Sequence, residues 1–174
     1  VKFDTWEETF AALRDIFAKE AQRHKELQSS EKCDGYSRKV YERLVNGSAT
    51  EVELSSALLD LSAMLHSHYD VAPVIIIDEY DTPIQQGHSE DYYDKIIRFM
   101  RNLFSGGFKD NSHLSFGFLT GILRVAKESI FSGMNNLSIN SVLDNKYSAY
   151  FGFTADEVRE MAAYYDRPEG SNGP

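Results

Sequence analysis

Val74-Ile75-Ile76-Ile77-Asp78-Glu79 is the stretch on which the fold turns. Four β-branched residues stand in a row, entered through Val71-Ala72-Pro73 and left through two acids. Such side chains are stiff at χ1 and suit a pleated backbone. An apolar run without polar alternation predicts a strand buried on both faces, the pattern of a parallel sheet covered by helices.

Upstream of that strand the chain reads as helices. Thr5 and Glu8 have capping-box spacing, and Trp6, Phe10, Leu13, Ile16 and Phe17 fall on one helical face. Gln28 to Gly35 is polar and predicts a loop. Tyr36 to Val45 predicts a second helix, closed by Asn46-Gly47. Thr50 and Glu53 repeat the box ahead of a stripe of Leu54, Leu58, Leu61 and Leu65.

Downstream, Gln85 to Glu90 reads as a polar loop. Tyr93, Ile96, Ile97, Met100 and Phe104 mark a helix that Gly106-Gly107 is expected to stop. His113 to Thr120 alternates at Leu114, Phe116 and Phe118 and predicts a second strand. Ile122 to Phe131 predicts a helix, and Leu137 to Val142 a short third strand. Thr154 and Glu157 form a last capping box, before Val158 and Met161. Strands separated by helices predict an α/β fold with a mostly parallel sheet.

A chain of 174 residues can bury a real core as one domain. A net charge of −9 gives it no general attraction for nucleic acid. Cys33 stands alone, which excludes an internal disulfide and a Cys-based zinc site and fits a reducing, cytoplasmic setting. No apolar run reaches membrane-spanning length, and no signal peptide is visible. Because the chain opens on Val1 in mid-flow, it is expected to be cut from a longer protein. Residues 167–174, rich in Gly and polar residues, are expected to form a flexible tail.

The chemistry is expected at the end of the isoleucine strand, since ligands bind at the carboxyl ends of strands in α/β sheets. Asp78 is the candidate Mg²⁺ partner, and Glu79 the candidate base for an attacking water. Thr120, ending the second strand, could sense a γ-phosphate or place that water. Arg124, followed by Lys127, could neutralise phosphate charge with its planar fork. Each has a plainer reading. Strand ends are polar anyway, Thr favours strands, and Arg124 and Lys127 suit a solvated helix start. None of the eleven glycines is followed by Lys, so the phosphate-gripping G-x-x-x-x-G-K-[S/T] is absent from this sequence. The five histidines show no metal-ligand spacing. Tyr147, Tyr150, Phe151 and Phe153 read first as core packing and second as a base-stacking platform.

Three segments together resemble the bacterial AAA-ATPase-like family: Ile77-Asp78-Glu79-Tyr80-Asp81-Thr82-Pro83-Ile84, the run from Thr120-Gly121-Ile122-Leu123-Arg124 to Leu137, and Tyr147 to Val158 with Phe151-Gly152-Phe153-Thr154. The resemblance implies a partial P-loop NTPase fold of the ASCE type. That fold has three layers, a mostly parallel sheet with helices on both faces, and here lacks the Walker A strand. It also implies Mg²⁺ and ATP as cofactors of the complete protein, with weak or absent binding by this piece alone, and often a PD-(D/E)XK nuclease-like domain further on. Residues 1–166 would then be an internal part of the ATPase domain. Within it, 1–70 would be helical, 71–145 would carry the Walker B and sensor strands, and 146–166 would start a C-terminal helical part. In this reading Glu79, Thr120 and Arg124 are catalytic, Asp78 holds the metal, and no residue grips the cofactor. The missing strand would leave an unpaired edge beside Leu114–Leu119, so that either self-association there or disorder after Gly133 is expected. Two alternatives stay open. One is a metal-dependent hydrolase or nuclease using Asp78, Glu79 and Asp81, and the other is a non-catalytic interaction module.

Overall fold

The computed structural model describes residues 4–122, 130–131, 134, 137–141, 144–150 and 152–165. They fall into two compact units, Val1–Asn136 and Leu137–Pro174.

The first unit begins with three helices: α1 (Trp6–Gln22), α2 (Gly35–Val45) and α3 (Glu51–Tyr69). Their starts follow local capping chemistry. Thr5 accepts from the Glu8 amide, but Glu8 returns its carboxylate to Asp4 N, so half of the predicted box forms. Asp34 caps α2 by accepting from Ser37 N at 2.7 Å. Thr50 and Glu53 complete both halves of their box, a motif whose loss costs about 1 kcal/mol. The Thr50 amide holds the Glu53 carboxyl below its ordinary pKa. That contribution is therefore present above the unfolded value and is lost as pH falls through the lowered one.

Packing then selects the inner faces. On α3 the buried stripe is Leu54, Ala57, Leu61 and Met64, with Leu58 and Leu65 only half-buried. On α1 Phe17, Ala18 and Ala21 turn inward, and Ile16, predicted on the inner face, is 60% exposed. Small alanines let the neighbouring helix come close. Tyr41 of α2 donates to the carbonyls of Ala21 and His24, where the chain leaves α1.

β1 (Val74–Ile77) and β2 (Phe116–Leu119) pair in parallel, Val74 opposite Phe116 and Ile77 opposite Leu119. A parallel pair needs a crossover. It is made by α4 (Thr82–Ser89) and α5 (Tyr93–Phe108). α4 occupies most of the segment predicted as a polar loop. Pro83 sits in its first turn, and Ile84 and Gly87 are buried. A Cβ on Gly87 would come within 2.6 Å of Ile96, so this glycine permits close packing on α5. α5 likewise runs through Gly106-Gly107 rather than stopping there. A Cβ on Gly107 would meet Leu58 of α3 at 2.8 Å. β2 is shorter than the predicted 113–120 because its approach is a turn, with Asn111 accepting from His113 N and Leu114 N.

The expectation of strands buried on both faces fails. Val74, Ile76, Phe116 and Phe118 share an exposed face, Ile76 at 70%. The other face meets α5, where Phe108 lies so near Gly117 that a Cβ would come within 2.4 Å of the ring. The described residues thus build a two-stranded parallel sheet with helices on one side, not the three-layer arrangement expected. An apolar run shows that a face tolerates burial, but another element must cross it to cover it. Residues 137–141 form no strand, and 142 and most of the predicted helix 122–131 lie outside the described residues.

The second unit holds a 3₁₀ turn, Asn145–Tyr150, and α6 (Ala155–Tyr164), whose Thr154–Glu157 capping box is complete. Tyr147, Tyr150 and Phe153 are exposed, so these members of the aromatic cluster are not core; Phe151 lies outside the described residues. Among the described residues no helix is long and apolar enough to cross a membrane.

Candidate active site

Hydrogen bonding between the two segments continues past the strands. Thr120 N donates to Ile77 O at 2.9 Å, and Tyr80 N to Thr120 O at 3.0 Å. These rungs bring the two strand ends side by side. The Thr120 hydroxyl donates to Asp78 Oδ1. Glu79 N donates to the same oxygen at 3.0 Å and approaches Thr120 Oγ1 at 3.4 Å. Asp78, Glu79 and Thr120 are therefore gathered at one rim. Arg124 and Lys127 lie outside the described residues.

Glu79 is where the strand direction breaks. Its φ is +53°, in the left-handed region. Among the described residues the other non-glycine positions of this kind are Asp70, Asp91 and Asp110. A short Asp tolerates that region through local hydrogen bonds, whereas for a longer L-residue it costs roughly 1–2 kcal/mol. Strain of this sort clusters where function needs a particular direction. The Glu79 carboxylate is exposed and makes no hydrogen bond or ion pair among the described residues. Glu79→Gly is accordingly expected to raise stability by about 0.5–1 kcal/mol, because relief of strain exceeds the added freedom of the unfolded chain. A urea midpoint that falls in this variant would remove the claim of strain.

The third acid has a different place. Asp81 is 1% exposed, and its Oδ2 accepts from Ile122 N at 3.0 Å and from Gln85 Nε2 at 2.9 Å. Among the described residues no group of three metal-ligating side chains forms, Asp78, Glu79 and Asp81 included. Sequence reasoning missed the buried role of Asp81, whose bonding partner is 41 residues away. It also missed Tyr80, whose ring packs edge-on against Phe104 and Phe131 at 6.1 and 5.5 Å beneath the acids.

Mg²⁺ prefers hard oxygen donors, keeps several waters, and is commonly held by one or two carboxylates with substrate phosphates. Asp78 fits that donor set. Both its hydrogen bonds fall on Oδ1, and among the described residues Oδ2 has no partner.

Fold and rim together define a class: an α/β protein whose parallel strands deliver two acids and a hydroxyl to a single edge. The family described as "Predicted AAA-ATPase" matches residues 1–131, and the chain belongs to that family. The chain is 32% identical over 125 residues to an uncharacterized protein in the vnfD 5′ region of Azotobacter chroococcum mcd 1. The matched stretch covers 71% of this chain and 24% of that relative, so the chain spans about a quarter of the relative's length. No solved structure matches the chain.

Proposed function

We propose that this chain supplies the magnesium-and-base strand of an ATP-hydrolysing site, the Walker B part of a P-loop ATPase. The observation that carries the reading is the Thr120–Asp78 hydrogen bond, which joins two parallel strand ends beside the exposed carboxylate of Glu79. Family membership supports nucleotide as the ligand.

In this reading Asp78 would hold Mg²⁺, and the ion when bound would offset phosphate charge. Thr120 fixes the rotamer of Asp78 by donating to Oδ1. Glu79 orients the attacking water and takes its proton. Arg124 supplies positive charge near the γ-phosphate. The phosphate-gripping loop comes from elsewhere in a longer polypeptide. Residues 1–166 act as an internal part of the ATPase domain, and 167–174 as its tail.

Phosphate release by the complete polypeptide tests the proposal. Hydrolysis of ATP that stops when EDTA removes Mg²⁺ is expected. ATP left intact by a folded, full-length preparation would sink it. The edge of β2 that is unpaired among the described residues is proposed to take a strand from a second copy of the chain. Sedimentation of the 174-residue chain should then give a dimer, and a monomer at high concentration would refute the pairing.

A further inference from the structure

Asp81 is a buried acid that the proposed chemistry leaves unused. The backbone ladder between the two strand segments ends at the Tyr80–Thr120 rung, because the first segment then turns into α4. The carbonyls that would form the next rung are already committed. Glu79 O accepts from Thr82 N, and Asp81 O accepts from both Ile84 N and Gln85 N. Ile122 N, the next donor on the opposite segment, bonds to the Asp81 side chain instead. The carboxylate thus acts as one further rung beyond the strands.

Its other oxygen presses on the same segment. A Cβ on Gly121 would lie 2.7 Å from Asp81 Oδ1 and 2.7 Å from Tyr80 Cε1. Gly121 therefore admits the carboxylate by lacking a side chain, and Gln85 Nε2 holds Oδ2 from the α4 side. Gly121 and Ile122 directly follow Thr120, the residue whose hydroxyl sets Asp78.

We infer that Asp81 is a positioning residue: by clamping the backbone of Gly121 and Ile122 it holds Thr120 in register with Asp78. This inference rests on the ATP-hydrolysis reading only for its functional consequence; the clamp itself is read without activity.

The test uses the full-length protein. Asp81→Ala should speed amide exchange in peptides covering residues 120–122 and leave α1 to α3 protected. Asp78→Asn should shift the Thr120 methyl resonance in the wild-type background and no longer do so beside Asp81→Ala. The kcat for ATP should fall on the order of tenfold with KM unchanged. Asp81→Asn keeps an acceptor oxygen and should recover most of the loss. Gly121→Ala, pushing from the opposite side, should reproduce it. Unchanged exchange at 120–122 overturns the inference, and so does exchange raised equally throughout the unit in the Asn and Gly121 variants. Wild type that fails to hydrolyse ATP while 120–122 loosens as described overturns only the proposed function.

Discussion

Glu79→Gln in the complete polypeptide is expected to lower kcat for ATP hydrolysis by about 10²- to 10⁴-fold, the range that a positioned general base contributes. That corresponds to roughly 3–5 kcal/mol of transition-state stabilisation. The substitution is nearly isosteric, so the left-handed turn at residue 79 should persist, and the bond from its amide to Asp78 Oδ1 should persist with it. What disappears is the proton acceptor. KM for ATP and the requirement for Mg²⁺ should therefore stay near wild type, because Asp78 and Thr120 keep their arrangement. A glutamate that merely shaped the rim would give the opposite split, a raised KM with kcat retained. Steady-state phosphate release across ATP concentration separates the two. Equal kcat values in the variant and wild type would remove Glu79 from the chemistry.

Such a test could be framed from the sequence because its key features are local. A run of Val74 to Ile77 commits the backbone to a strand, and the acids after it must sit at the strand's end. Capping boxes are local as well, and Thr50 with Glu53 forms as spacing predicts. Legibility declines where a residue's environment comes from far along the chain. Gly106-Gly107 reads as a helix stop because glycine is a poor helix former, yet Leu58 of α3 makes Gly107 the residue that permits close approach. Residues 85–89 are polar, but α5 gives Ile84 and Gly87 something to pack on, and a helix forms. The exposed face of Ile76 and Phe118 shows the reverse case. Their apolarity suggested a cover that no described element provides. At the rim, the gathering of Asp78, Glu79 and Thr120 follows from parallel register once the two strands are identified. Asp81 gave no such signal. An acid in a D-E-Y-D run looks like one more exposed ligand until Ile122 is found across from it.

Phe104→Ala should be the most damaging core substitution tested at this site, at a cost of about 3–5 kcal/mol. Phe104 is fully buried in α5. Its ring stacks on Phe131 at 5.9 Å with planes 6° apart, meets Tyr80 edge-on at 6.1 Å, and tilts against Phe108 at 5.8 Å. Truncation removes all three ring contacts and leaves a cavity that rigid neighbours on a helix and at a strand end cannot collapse to fill. Domains are stable by only about 5–15 kcal/mol, so the loss is a large share of the total. Phe104→Leu refills much of the volume and should cost under about 1.5 kcal/mol. The contrast carries a functional consequence, because Tyr80 follows Glu79 directly and shares the Phe131 packing. A cavity at Phe104 withdraws support from beneath the left-handed turn, so the Ala variant should lose hydrolysis at temperatures where its α1–α3 helices still resist amide exchange. Urea melts of the two variants measure the first claim. A cost below about 1.5 kcal/mol for Phe104→Ala would mean that the site can collapse, and that the ring cluster does not brace the rim.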